Sequence, residues 1–155
     1  MQDSEQIELD NFSLKEIEQL ILSTLLLIKK ELLTKQTLQS RSNTERLFAT
    51  AVSMSKACND VSAAKFMRFA AMQGHVKAQF YLGMMFAKGQ GLPQSPFHAY
   101  TWLSLAESQG SIEAVEAIGK LQGHLQAKQI RDAKSQAADL YEKINDNIAL
   151  NELIE

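Results

Sequence analysis

The sequence repeats itself at an interval of 36 residues. Ala63, Ala70, Gln73, Gly74, Ala78 and Gly83 return as Ala99, Ala106, Gln109, Gly110, Ala114 and Gly119, six identities over the 21 positions from 63 to 83. Ordinary residue frequencies would give about one or two. Five more positions keep their apolar character: Phe66 with Trp102, Met67 with Leu103, Phe69 with Leu105, Val76 with Ile112 and Leu82 with Ile118. A period of this size marks a stacked-repeat architecture, because one copy cannot bury its apolar face alone. With only two prolines and seven glycines in 155 residues, the repeating unit is helical.

Each copy reads as two antiparallel helices, with alanine and glycine where backbones approach. Val76 to Ala87 carries apolar residues at helical spacing, and Gly89 and Gly91 end it and turn the chain. Ser95 offers an N-cap hydroxyl and Pro96 a first helical position for a helix running to about Gln109, where Gly110 stops it. Gln73-Gly74 stops a helix from about Val61 in the same way. Ser111 can cap a helix through about Leu121, and a last helix from Gln126 to Ile144 sets Ile130, Ala133, Ala137, Leu140, Tyr141 and Ile144 on one face.

Upstream, Asn43 or Thr44 is placed to cap a helix to about Ala57, making a divergent first pair with the Val61 helix. Before that, the capping box Ser13-Leu14-Lys15-Glu16 starts a leading helix. Its Ile21, Leu25, Ile28 and Leu32 follow a 4-3-4 spacing, while Leu20, Leu22, Leu26, Leu27 and Leu33 spread apolarity beyond one stripe. Such a helix is either clamped between repeat helices or pairs with another chain, with Leu22, Leu26 and Leu33 as the candidate oligomer face. The expected organisation is a polar tail over 1–12 and one helical-repeat domain over 13–145, then an acidic tail over 146–155 that frays, with Ile148, Leu150, Leu153 and Ile154 available for an optional short helix. The domain divides into a leading helix at 13–40, a divergent pair at 43–74, one repeat at 75–110 and a second repeat with its capping helix at 111–145.

The segment Ala78-Gln79-Phe80-Tyr81-Leu82-Gly83, followed by Gly89-Gln90-Gly91-Leu92-Pro93, Ala99-Tyr100-Thr101-Trp102 and Ala106-Glu107-Ser108-Gln109-Gly110, resembles the Sel-one-like repeat, a relative of the tetratricopeptide repeats. The likeness covers about residues 61 to 122, and residues 1 to 60 depart from it. It implies an all-α fold, an α-α superhelix of about three helix pairs with an extra N-terminal helix. It also implies an adaptor whose concave side, lined by the first helix of each pair, holds a peptide or helix of a partner. On that face, outside the core positions Ala78, Leu82 and Phe86, the expected contact residues are Lys77, Tyr81, Met84 and Lys88, then Glu113, Glu116 and Lys120.

Chemistry is sparse. Ser53-Met54-Ser55-Lys56 and Ser62-Ala63-Ala64-Lys65 have the Ser-x-x-Lys spacing but lack the companion motifs of penicillin-recognising enzymes. His75, His98 and His124 have no metal-ligand spacing, and His75 reads as a turn residue. Gly89-Gln90-Gly91 lacks the third glycine and the preceding strand of a dinucleotide loop. Trp102 reads as core, Glu113 and Glu116 as a solvated face, and Cys58 as a small buried apolar residue. No catalytic, cofactor or metal site is expected.

A net charge of −2, with no basic run longer than Lys29-Lys30, argues against nucleic acid. The apolar run Leu20–Ile28 is nine residues, against roughly 20 for a membrane span. MQDSEQIELDN has no secretory signal character, so the expected address is cytoplasmic, or periplasmic if the native start lies upstream. The expected partner is a protein or peptide, with a homodimer through the leading helix as the alternative.

Overall fold

A computed structural model describes residues 13–154; the polar tail expected over 1–12 lies outside them. The described residues form α1 (Leu14–Lys56), α2 (Asp60–Met72), α3 (Val76–Lys88), α4 (Pro96–Ser108), α5 (Ile112–Leu121), a 3-10 turn at Gln122–His124 and α6 (Ala127–Ile154). Contacts divide the chain into two compact units, Met1–Leu38 and Gln39–Glu155.

The cap-and-stop chemistry recurs with the repeat. Asn59 Oδ1 accepts the Ser62 amide at the head of α2, and 36 residues on Ser95 Oγ accepts the His98 amide at the head of α4, each at 3.3 Å. His75 Nδ1 accepts the Ala78 amide at 3.1 Å and Ser111 Oγ the Ala114 amide at 3.3 Å, so a histidine ring stands in for the hydroxyl that opens the first helix of the next pair. The helix ends match as well. Gly74 and Gly110 are left-handed, and the amides of Gly74 and His75 donate back to Ala71 and Ala70 just as those of Gly110 and Ser111 donate to Glu107 and Ala106.

Cys58 closes α1 by the same device. At φ 60° its amide donates to the Ser55 carbonyl and that of Asn59 to Met54. It was expected to be buried, but it is exposed, because a left-handed residue at a helix end lies in the turn and not on the packed face.

α1 differs from its reading in another respect. No break separates a leading helix from a capped helix at Asn43 or Thr44, since both residues lie inside one helix. The buried Thr44 hydroxyl approaches the Ser40 carbonyl at 3.0 Å and Gln73 Oε1 at 2.8 Å. Satisfied within the helix and by a neighbour, the threonine has no need to cap. Of the capping box at Ser13, the carboxylate half forms: Glu16 Oε2 accepts the Ser13 amide at 2.8 Å, while the hydroxyl turns to the same carboxylate at 3.0 Å.

The core of the second unit is built from small residues. Ala63, Ala64, Ala70 and Ala71 of α2, Ala78 and Leu82 of α3, and Ala99 of α4 are sealed, with Met67, Phe86 and Trp102 filling between them. A second cluster joins Tyr100, Leu103 and Ala106 of α4 to Ala114 and Ile118 of α5 and Ala133 of α6, with Phe80 and Met84 packed against it. Gly83 sits where α3 meets α4: a Cβ there would lie 2.8 Å from Leu103 Cγ. Gly91, at φ 68°, lies against the Asp60 backbone so closely that a Cβ would overlap the Asp60 carbonyl, and Gln90 Nε2 donates to Asp60 Oδ1 at 2.9 Å. The second glycine of Gly89-x-Gly91 therefore lets the turn after α3 sit on the start of α2. Gly119, one repeat after Gly83, faces open space, so close approach does not explain that glycine.

α6 packs along α4, and the tail expected to fray or to form a short helix of its own instead continues α6 to Ile154. Ile144 is buried, and the Ile144 and Ile148 side chains meet the Gly74 turn, 3.6 and 3.3 Å from where a Cβ would stand. Those contacts carry the helix past its expected end.

Candidate interaction surface

The first helices of successive pairs, α1 beyond Gln39, then α3, then α5, present the polar and aromatic side chains that the helix spacing places outside the core. On α3, Lys77, Tyr81 and Lys88 are exposed. Tyr81 remains 46% exposed although it is a large ring on a packed helix. It stands 5.4 Å from Phe80, edge to face, and 5.9 Å from Phe48 of α1. Phe48 in turn stacks on His75 at 4.4 Å and 22°. His75 Nδ1 is the α3 cap, which leaves Nε2 to meet the Glu45 carboxylate at 3.3 Å. One imidazole thus links the two helices and fixes the aromatic row Phe48, His75, Tyr81.

The sequence reading named Tyr81 but neither Phe48 nor the role of His75. The available signal was the histidine one residue after a helix-stopping glycine, at the place where the next repeat has the capping Ser111.

On α5, Glu113 is exposed and its carboxyl is held below the usual carboxylate range, by the backbone at the helix start first, then by the Ser111 hydroxyl at 3.1 Å, and also by Lys77 of the neighbouring repeat. Lys77 and Glu113 thus carry opposite charges at equivalent places of the two repeats. The remaining three named residues lie elsewhere. Met84 is half-buried against the α4–α5 cluster. Glu116 and Lys120, exposed, stand one repeat after Phe80 and Met84, at the places whose side chains stack on a following pair in the repeat before.

A concavity of about 420 Å³ opens between the second helices α4 and α6, with Ser104, Glu107, Lys134, Ala137, Tyr141 and Glu142 among its walls. The Ser104 hydroxyl is covered and unpaired. Among the described residues no group of three or more His, Cys, Asp or Glu is placed to hold a metal ion, and no helix is long and apolar enough to cross a membrane.

Residues 54–75 and 76–111 match the Sel1 repeat. The chain carries two Sel1 repeats. The first match takes in only the end of α1, with α2 and the Gly74 stop, while the second spans α3, α4 and the Gly110 stop and so coincides with a helix pair closed by a left-handed glycine. A crystal structure of a protective antigen present in uropathogenic Escherichia coli strains, displaying an SLR (Sel1-like repeat) fold, is similar with a TM-score of 0.62 at 23% identity. The likeness covers 72% of this chain and 25% of the antigen, so the chain spans about a quarter of that protein's length. It supports an all-α solenoid of stacked helix pairs. No curated protein matches the sequence. Sel1 repeats are generally protein–protein interaction modules, and proteins built from them are typically non-enzymatic scaffolds.

Proposed function

We propose that this protein is a non-enzymatic adaptor that holds a peptide or helix of a partner protein in a concave groove along its first helices, with Tyr81 as the anchor. The observation that carries the reading is the aromatic row Phe48–His75–Tyr81. Its last ring is half-exposed, yet its position is fixed from both sides. A rigid, half-exposed tyrosine loses little conformational entropy on contact, which is why such rings dominate interface energetics. Lys77 and Glu113 beside it offer one donor and one acceptor to a bound backbone or side chain. Glu116 and Lys120 are peripheral in this reading, and Met84 supports the surface from beneath. The proposed setting is the cytoplasm, where the exposed Cys58 thiol stays reduced.

The test is a photo-crosslinking residue at position 81 compared with one at Lys65, exposed on α2. Adducts with a defined partner from position 81 alone, and a Tyr81→Ala loss of at least tenfold in affinity for that partner by calorimetry, support the groove. Equal adducts from both positions, or unchanged affinity, refute it.

A second reading, self-assembly through the N-terminal part of α1, is favoured by its surface. Ten large apolar residues between Leu20 and Leu38, Leu22, Leu26 and Leu33 among them, are each between 42% and 66% exposed. Summed round the whole helix, that is on the order of 1,000 Å² of apolar area, comparable to the roughly 800 Å² that each partner buries in a stable interface. Sedimentation at tens of micromolar decides whether α1 associates.

A further inference from the structure

The apolar residues of α1 do not form one seam. At 100° per residue, Leu27, Leu20, Ile17, Ile28, Ile21 and Leu25 fill an arc of about 160°, interrupted up to Ile28 only by Thr24, with Glu31 and Lys35 entering the same arc further along the helix. Leu22, Leu33 and Leu26 form a narrower stripe of about 40° on nearly the opposite side. Charged residues, Glu18 with Lys29 on one edge and Glu16 with Lys30 on the other, separate the two. A single partner helix covers one seam of about 100° or less and leaves the other face in water.

The polar interruptions are already satisfied. Ser23 Oγ donates to the Leu20 carbonyl at 2.9 Å, and Thr24 Oγ1 lies 2.9 Å from the carbonyls of both Leu20 and Ile21. The stretch from Leu20 to Ile28 thus holds no charge and no side-chain donor that needs water, so enclosing it on all sides leaves nothing unpaired.

We infer that four copies of this chain assemble through α1, pairing by the wide face and joining pairs by the Leu22–Leu26–Leu33 stripe. The inference rests on the self-assembly reading above. Antiparallel pairing about the midpoint between Thr24 and Leu25 sets Ile17 opposite Leu32 and Ile21 opposite Ile28. It also brings Glu18 within two residues, about 3 Å of axial rise, of the partner copy's Lys29 on the same edge. Charge and apolar pattern are therefore both self-complementary, as a two-fold contact requires. A second, separate apolar face that also joins copies two-fold then closes the pairs into a four-chain assembly of dihedral symmetry.

Sedimentation velocity and light scattering on the full chain at tens of micromolar test this. The expected result is four times the chain mass for the native sequence, twice for Leu26→Glu or Ile21→Glu alone, and the single chain for the two together, each retaining its helical circular dichroism. A native dimer, or a Leu26→Glu chain that is still tetrameric, would overturn the four-chain arrangement and leave self-assembly standing. A native monomer overturns both. A monomer that co-sediments with vesicles of mixed phosphatidylcholine and phosphatidylglycerol also overturns both, and assigns α1 to a lipid surface.

Discussion

Gln109 at the end of α4 donates from Nε2 to Gln79 Oε1 of α3 at 2.7 Å, and one pair earlier the bond runs the other way, the Thr44 hydroxyl of α1 donating to Gln73 Oε1 at 2.8 Å. Each bond ties the first helix of a pair to the residue before its closing glycine. The Gln79 side chain is sealed from solvent and its Nε2 donates to the Ala71 carbonyl, which couples the α2 end to the same network.

Gln109→Ala is therefore expected to destabilise the protein by about 1–3 kcal/mol, because it leaves the buried Gln79 oxygen without a partner. Gln73→Ala should cost less, since the Thr44 hydroxyl keeps the Ser40 carbonyl. Urea denaturation of the two variants measures the difference.

Gly83 and Gly119 occupy the same place in successive repeats and should respond oppositely to alanine. Gly83→Ala drives a Cβ into Leu103 and is expected to cost about 1–3 kcal/mol. Gly119→Ala adds a methyl to open space in a helix interior and should add about 0.5–1 kcal/mol. Similar losses for both would show that α5 packs against something at Gly119.

Cys58 holds a left-handed conformation at a cost of roughly 1–2 kcal/mol for a residue with a Cβ. Cys58→Gly should relieve about 1 kcal/mol of it and raise Tm by about 2–4 °C, read by calorimetry.

The Glu113 carboxyl is depressed by the backbone at the start of α5, by Ser111 and by Lys77. A group whose folded pKa lies below its unfolded value adds stability that is fully present above the ordinary 4.5 and lost as pH falls through the folded value. Glu113→Gln should lower Tm slightly at neutral pH, and the gap to the native protein should close in acid. Salt should narrow the neutral-pH gap, because this carboxylate is fully exposed.

The helix pairs were legible because their punctuation is chemical: Ser95, Ser111, Gly74 and Gly110 can do little else at those places. Residues 40–44 misled for the converse reason. Ser, Asn and Thr cap a helix or ride inside it according to what they meet, and Thr44 meets Gln73, 29 residues away. Met84 was read as surface and lies half-buried because α5 covers it, a contact between repeats that spacing within one helix cannot reveal. Phe48 was missed since the region around it departs from the repeat, although a histidine where a serine caps the next repeat pointed towards it.

The exchange of Phe80 and Met84 for Glu116 and Lys120 sets a limit on growth. Any further hairpin laid on α5 would have to desolvate a carboxylate and an ammonium where its predecessor buries a ring and a thioether. Writing Phe and Met back into those two places would turn that surface into a sticky end, and chains able to grip one another there would string into filaments.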